Sequence, residues 1–134
     1  MTAAKKILIV DDESVNRYIL TYMLEKIGCN VLSAENGYEA LKLFEANQFD
    51  IVFVDYFMPM MNGIEVAQKV RNISDGRKQV VFLVMTTALD SNDSLISDIL
   101  MSDIDRVVLK PIDFNEMRTI VNSNQRKPLT QLNT

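Results

Sequence analysis

Five short apolar runs punctuate the chain, at residues 7–10, 31–34, 51–54, 80–85 and 107–109. The third and fourth are almost unbroken, the pattern of parallel strands covered on both faces. Between the runs, apolar positions recur three or four apart, which is the period of a helix. The first such segment carries Val15, Ile19, Tyr22, Met23 and Ile27, and Gly28 stands where a helix C-terminus favours a left-handed residue. Three later helices announce their starts. Asn36 with Glu39, Asn62 with Glu65 and Asp113 with Glu116 each set a capping oxygen three residues before a carboxylate that can reciprocate. The fourth helix, over roughly residues 91–101, is the weakest, with only Leu95, Ile96, Ile99 and Leu100 among Ser and Asp.

Strands alternating with helices across short loops specify an α/β fold with a parallel sheet, because parallel neighbours need crossover connections. Five βα units in about 120 residues favour an open, doubly wound five-stranded sheet over a barrel, which needs eight. Residues 1–125 read as one domain and residues 126–134, which include Pro128 and no apolar period, as a tail or linker stump.

Composition narrows the chemistry. The 134 residues contain no histidine, which removes Ser-His and Cys-His triads, His-bearing zinc sites and a phosphohistidine on this chain. Cys29 is the single cysteine, so neither an intramolecular disulfide nor a multi-Cys metal site can form, and a reducing compartment suits it. A net charge of −4 disfavours general binding to nucleic acid or to an anionic membrane. Lys5 and Lys6 precede an apolar run too short for a secretory signal, and nothing approaches the ~18 apolar residues of a membrane span. The expectation is a cytoplasmic protein.

In open parallel sheets, chemistry gathers at the C-terminal strand ends. Here the first strand runs into Asp11, Asp12 and Glu13, the third into Asp55, the fourth into Thr86, Thr87 and Ala88, and the fifth into Lys110 and Pro111. If the first and third strands are neighbours, at least three carboxylates converge. Bare carboxylates ~4 Å apart repel by roughly 4 kcal/mol at an effective dielectric near 20. Such a cluster holds a proton, holds a cation or costs stability. Three acids and one lysine leave a formal −2, which one divalent cation cancels, and hard oxygen ligands without His or Cys select Mg²⁺ or Mn²⁺.

These residues resemble the receiver domain of two-component response regulators, over about 120 of the 134 positions. The resemblance rests on Ile9, Val10, Asp11, Asp12 and Glu13; on Val54 and Asp55 with Met58, Pro59, Met60, Met61, Asn62 and Gly63 behind them; on Thr87 and Ala88; and on Lys110 and Pro111. Asn36, Gly37, Tyr38, Glu39, Ala40 and Leu41 look like the family's second-helix start. The resemblance implies the flavodoxin-like strand order 2-1-3-4-5 and a signalling switch in place of an enzyme. Asp55 would accept a phosphoryl group from a histidine kinase or a histidine phosphotransfer domain. Asp12, Asp55 and the backbone carbonyl of Phe57 would ligate the cation, with Asp11 acting through water. Lys110 and the Thr87 hydroxyl, in preference to Thr86, would bind phosphoryl oxygens. A cis Lys110–Pro111 peptide would aim the lysine inward. A downstream effector would read the face of the fourth helix, fifth strand and fifth helix, and no DNA-reading element is expected in these residues.

The chain departs from the family pattern at two places. Val107 stands where receivers often carry an aromatic that swings inward, so an aromatic-coupled switch is in doubt and a plain buried strand residue is the simpler reading. Phe57 and Leu89 stand at positions that, by the resemblance, border the phosphoryl site, and they offer no hydrogen bond to an attacking water, which predicts a long-lived phosphoryl group. Asn16 and Arg17 look like those of receivers attached to hybrid sensor kinases, or serve as solvated first-turn residues. Met60 and Met61 fall in the loop beside Asp55 and are the methionines to examine as a contact surface. Among rival readings, a haloacid-dehalogenase-like phosphatase needs a second Asp two residues after the nucleophile, where Phe57 stands. An FMN binder needs a Ser/Thr/Gly-rich first loop, and Asp11, Asp12 and Glu13 would repel its phosphate. An interaction module that is never phosphorylated is the alternative closest to the resemblance.

Overall fold

The computed structural model describes residues 4–88, 94–100 and 102–123. Ten elements alternate: β1 (Lys6–Val10), α1 (Ser14–Ile27), β2 (Asn30–Ala34), α2 (Gly37–Ala46), β3 (Ile51–Asp55), α3 (Gly63–Gly76), β4 (Phe82–Thr87), α4 (Ser94–Leu100), β5 (Arg106–Leu109) and α5 (Phe114–Ser123). The strands form one parallel sheet in the order β2-β1-β3-β4-β5, as the resemblance implied. Leu89 lies outside the described residues, as do residues 124–134 and the outer parts of the expected fourth helix.

Strand alternation sorts the core into two layers. Ile7, Ile9, Ile51, Phe53, Phe82 and Val84 point to one face, where Leu20 and Leu24 of α1 meet Met117, Ile120 and Val121 of α5. Leu8, Val10, Val52, Val54, Leu83 and Met85 point to the other, against Ala40 and Phe44 of α2, Val66 and Val70 of α3 and Ile99 of α4. Both faces of the central strands are therefore dry, which is why their sequence reads as unbroken apolar runs.

The first helix corrects the reading of its own stripe. Its period is right and Gly28 closes it in the left-handed region (φ 105°), with Gly28 and Cys29 amides donating to Glu25 and Leu24 carbonyls. Yet Val15, Tyr18, Ile19 and Tyr22 are exposed, and Leu20 and Leu24 are buried in their stead, flanked by half-buried Met23 and Ile27. Leu20 and Tyr22 stand about 200° apart around the axis at 100° per residue. The helix carries two apolar rows, and spacing alone does not choose the one that faces the sheet.

Strand limits also move. The fourth strand was expected over residues 80–85, but Val80 is 92% exposed and the strand runs on through Thr86 and Thr87, both buried. Asp55 likewise belongs to β3 and pairs in register with Thr86. Polar residues continue these strands because they lie in the middle of the sheet, where backbone pairing to both neighbours outweighs their loop preference. At the far end, Arg71 of α3 donates to the carbonyls of Val81 and Asp103 and to the Asp105 carboxylate, which also accepts from the Leu83 amide at 2.8 Å. That knot ties α3 to β4 and β5 at the end of the sheet opposite the acidic cluster.

Candidate functional site

The strand order reverses at β1. The chain leaves β1 toward β2 on one side and returns by α2 to β3 on the other, so the C-terminal ends of β1 and β3 open a crevice. Asp11 follows β1 and Asp55 ends β3. Carboxylate oxygens of Asp11, Asp12 and Asp55 lie within 4.8 Å of one another, with Asp11 and Asp55 buried and Asp12 exposed. The convergence inferred from the strand ends is thus present. All donors are carboxylate oxygens, a set that fits a hard divalent cation such as Mg²⁺ and offers zinc no nitrogen or sulfur.

Lys110 reaches the same point from the end of β5. Its Nζ stands 3.2 Å from Asp55 Oδ2 and 3.3 Å from Asp11 Oδ2, so one ammonium bridges two buried carboxylates. The lysine is positioned by its backbone, whose amide donates to the Thr87 carbonyl at 2.8 Å. The Lys110–Pro111 peptide is cis, as expected from the resemblance. Burial pushes the Asp55 carboxyl up to about 6, with Asp11 and Asp12 adding to the rise and Lys110 opposing it. Burial works to lower the Lys110 ammonium, but the charges of Asp55 and Asp11 outweigh it and hold it above its usual value. The site therefore presents a buried carboxyl with a raised pKa of about 6 beside a lysine cation shared with Asp11.

Of the two candidate hydroxyls, Thr87 is fully buried at the end of β4, one residue beyond the register partner of Asp55. Thr86 faces the opposite layer. It lines a cavity of about 130 Å³ with Asp11, Asn16, Ile19, Lys110 and Pro111, between α1 and the segment after β5. Phe57, two residues past Asp55, is 53% exposed and meets the Tyr56 ring edge-on at 4.8 Å between centroids. The loop methionines separate: Met60 is exposed in the left-handed region (φ 71°), whereas Met61 is buried against Gly37, where a Cβ would stand 2.7 Å from its Sδ. Val107 is only half-buried and packs with Leu95 against the α2–α3–α4 layer.

Three features escaped the reading of the sequence. Gly63, quoted only within a motif, starts α3 so close to β3 that a Cβ would lie 2.6 Å from the Asp55 carbonyl oxygen. Its amide donates to the Tyr56 carbonyl at 3.0 Å, and the reciprocal cap of Asn62 with Glu65 holds that helix start in place. Arg17 is not simply solvated; its Nη1 donates to the Asp11 carbonyl at 2.7 Å. The exposed row on α1 borders the site through Ile19. The hydrogen-bonding pattern of a lone Gly or Arg in sequence does not announce such contacts.

The comparisons with known proteins agree with this geometry. A family model described as the response regulator receiver domain matches residues 7–122. The chain is 37% identical over 123 residues to a probable transcriptional regulator, ycf27, of Guillardia theta, a match covering 92% of this chain and 46% of that protein. It is 40% identical over 68 residues to the autoinducer 1 sensor kinase/phosphatase LuxN of Vibrio campbellii, covering 51% of this chain and 8% of LuxN. Among solved structures, the response regulator TrrA of Thermotoga maritima, in complex with Mg²⁺ and BeF, superposes with a TM-score of 0.76 at 33% identity, covering 90% of this chain and 99% of that one. The chain thus spans about half or less of the length of these curated relatives.

Proposed function

The chain belongs to the response regulator receiver domain family, a phosphoacceptor signalling switch, and from that premise we propose that Asp55 takes a phosphoryl group from a phosphohistidine partner in a phosphorelay. The observation that carries this reading is the Lys110 ammonium bridging Asp55 and Asp11 within a three-carboxylate cluster at the reversal point of the sheet.

One Asp55 carboxylate oxygen attacks phosphorus, the P–O bond forms as the P–N bond to the donor imidazole breaks, and that bond's electron pair leaves with the imidazole nitrogen. Asp11, Asp12, Asp55 and the Phe57 carbonyl would hold Mg²⁺, which offsets charge on the phosphoryl oxygens. Lys110 gives up Asp55 for a phosphoryl oxygen and keeps Asp11. The Thr87 hydroxyl donates to another oxygen. Both groups then move toward the new charge, and the α4–β5–α5 face is repacked for an effector. With valine at position 107 this coupling runs through the packing of α4 against β5 and needs no swinging ring.

The donor docks on α1. Val15, Tyr18, Ile19 and Tyr22 form an outward apolar row spaced as the seam of a helix pair, and Ile19 continues it into the cavity beside Lys110. A helix bearing the phosphohistidine would lie along this row with its imidazole over Asp55.

Transfer from a ³²P-labelled histidine phosphotransfer domain tests the proposal. Label should leave the histidine and appear on this chain, and Asp55→Asn should take up none. Label on the Asn variant would overturn the assignment of the nucleophile.

A further inference from the structure

The turn after β1 carries two of the three clustered carboxylates, so what holds that turn controls the cluster. Asp12, one of the two, is exposed. At Asp11 the amide donates to the Ala34 carbonyl at 3.1 Å, and Oδ1 accepts from the Glu13 amide at 2.9 Å. Beyond that point the usual fastening is missing, because Glu13, the residue that caps α1, makes no side-chain cap bond. The first helical bond runs from the Arg17 amide to the Glu13 carbonyl at 3.1 Å. From the same residue the guanidinium reaches back across the turn, and Nη1 donates to the Asp11 carbonyl at 2.7 Å. Arg17 thereby grips the turn at both ends, through its backbone at Glu13 and its side chain at Asp11, with Asp12 held between.

We propose that Arg17 is a positioning residue for divalent-cation binding, acting through the backbone of Asp11 and Asp12 without touching the ion. A charge-assisted bond to a carbonyl is strong and directional, and outer contacts of this kind fix the orientation of ligating carboxylates. The contact to the turn is a single donor rather than a fork, so a lysine ammonium can replace it, which would not hold at a bidentate arginine site.

The sign of the effect separates this role from simple electrostatics. A positive side chain beside an acidic cluster repels Mg²⁺, and its removal tightens binding if charge is all that matters. Loss of a positioning bond weakens binding.

Isothermal titration of the 134-residue chain with MgCl₂ decides between them, with melting temperatures recorded in EDTA. Arg17→Ala is expected to raise the Mg²⁺ Kd about tenfold. Arg17→Lys should stay within about threefold of the wild type, because one ammonium N–H can take the place of the single guanidinium donor. An unchanged or lower Kd in Arg17→Ala overturns the proposal. So does weaker binding that Arg17→Lys fails to restore, or that follows a loss of melting temperature in EDTA. The inference rests on the acidic cluster being a cation site, and the wild-type titration tests that separately: no Mg²⁺ binding by the wild type would refute the cluster's role, whereas normal wild-type binding with an unaltered Arg17→Ala would refute Arg17 alone.

Discussion

Asp55 combines two demands that conflict. The nucleophile proposed here needs its charge, and a buried carboxylate among two others resists it, so the carboxyl titrates at about 6. The folded state holds that proton more tightly than the unfolded chain does. Stability from this group is therefore greatest below the ordinary carboxylate range near 4 and falls as pH rises toward 6. Asn carries no charge and escapes this loss. In urea denaturation with EDTA, Asp55→Asn should be more stable than the wild type at pH 7.5 by up to about 3 kcal/mol, the gap shrinking toward pH 4; a gap that is constant or reversed contradicts the account. The two hydroxyls divide similarly. Thr87→Ala should slow phosphorylation by acetyl phosphate about tenfold or more, and Thr86→Ala by less than about threefold. The opposite order would assign the role to Thr86, which shares its cavity with Lys110. Phe57 bears on the product: Phe57→Asn, which can orient a water, should shorten the phosphoryl half-life, and an unchanged half-life would leave the ring no part in it.

The elements place these residues, and two glycines show how tightly. Gly28 has open space around a notional Cβ but a φ of 105°, so Gly28→Ala should cost about 1 kcal/mol from the backbone alone. Gly63 has an ordinary φ but no room beside the Asp55 carbonyl. Gly63→Ala should cost about 1–3 kcal/mol by overpacking and, unlike Gly28→Ala, slow phosphorylation as well. Denaturation curves and acetyl phosphate kinetics on both variants separate the two causes. The exposed row on α1 makes a different prediction. Ala at Val15, Tyr18 and Tyr22 together keeps helix propensity and removes mainly solvent-facing surface, apart from the contact of the Tyr22 ring with the Lys26 ammonium, so each change should shift stability by no more than about 1 kcal/mol. Transfer from a phosphohistidine partner should nevertheless slow about tenfold while the acetyl phosphate reaction is unchanged. Equal slowing of both would place the effect in the site and not in docking. This row also marks where reading the chain fell short. The period of α1 was plain from Val15, Ile19 and Tyr22, but its orientation depends on Leu20 and Leu24 meeting the sheet, which is a tertiary choice between two apolar rows.

Across the whole molecule, what alternates locally was legible and what depends on neighbours was not. The apolar runs and the caps at Asn36, Asn62 and Asp113 announced the elements, and those caps do accept from the amides of Glu39, Glu65 and Glu116. The strand order needed the resemblance, because periodicity carries no information about which strands pair. Acids at two strand ends and a lysine at a third could be listed from the chain, but their convergence is a product of the reversal at β1. The Arg17 and Gly63 contacts exist only once the chain has folded, since each joins the start of a helix to the end of a strand. The same topology sets both the two apolar layers and the acidic crevice. The most direct test of the central claim is intact-mass spectrometry after incubation with acetyl phosphate, with and without Mg²⁺, beside Asp55→Asn. The account predicts a gain of one phosphoryl group that requires Mg²⁺, is lost on mild base treatment and is absent from the Asn variant. A gain of the same size on Asp55→Asn, or no gain on the wild type from either acetyl phosphate or a phosphorylated histidine phosphotransfer domain, would contradict it.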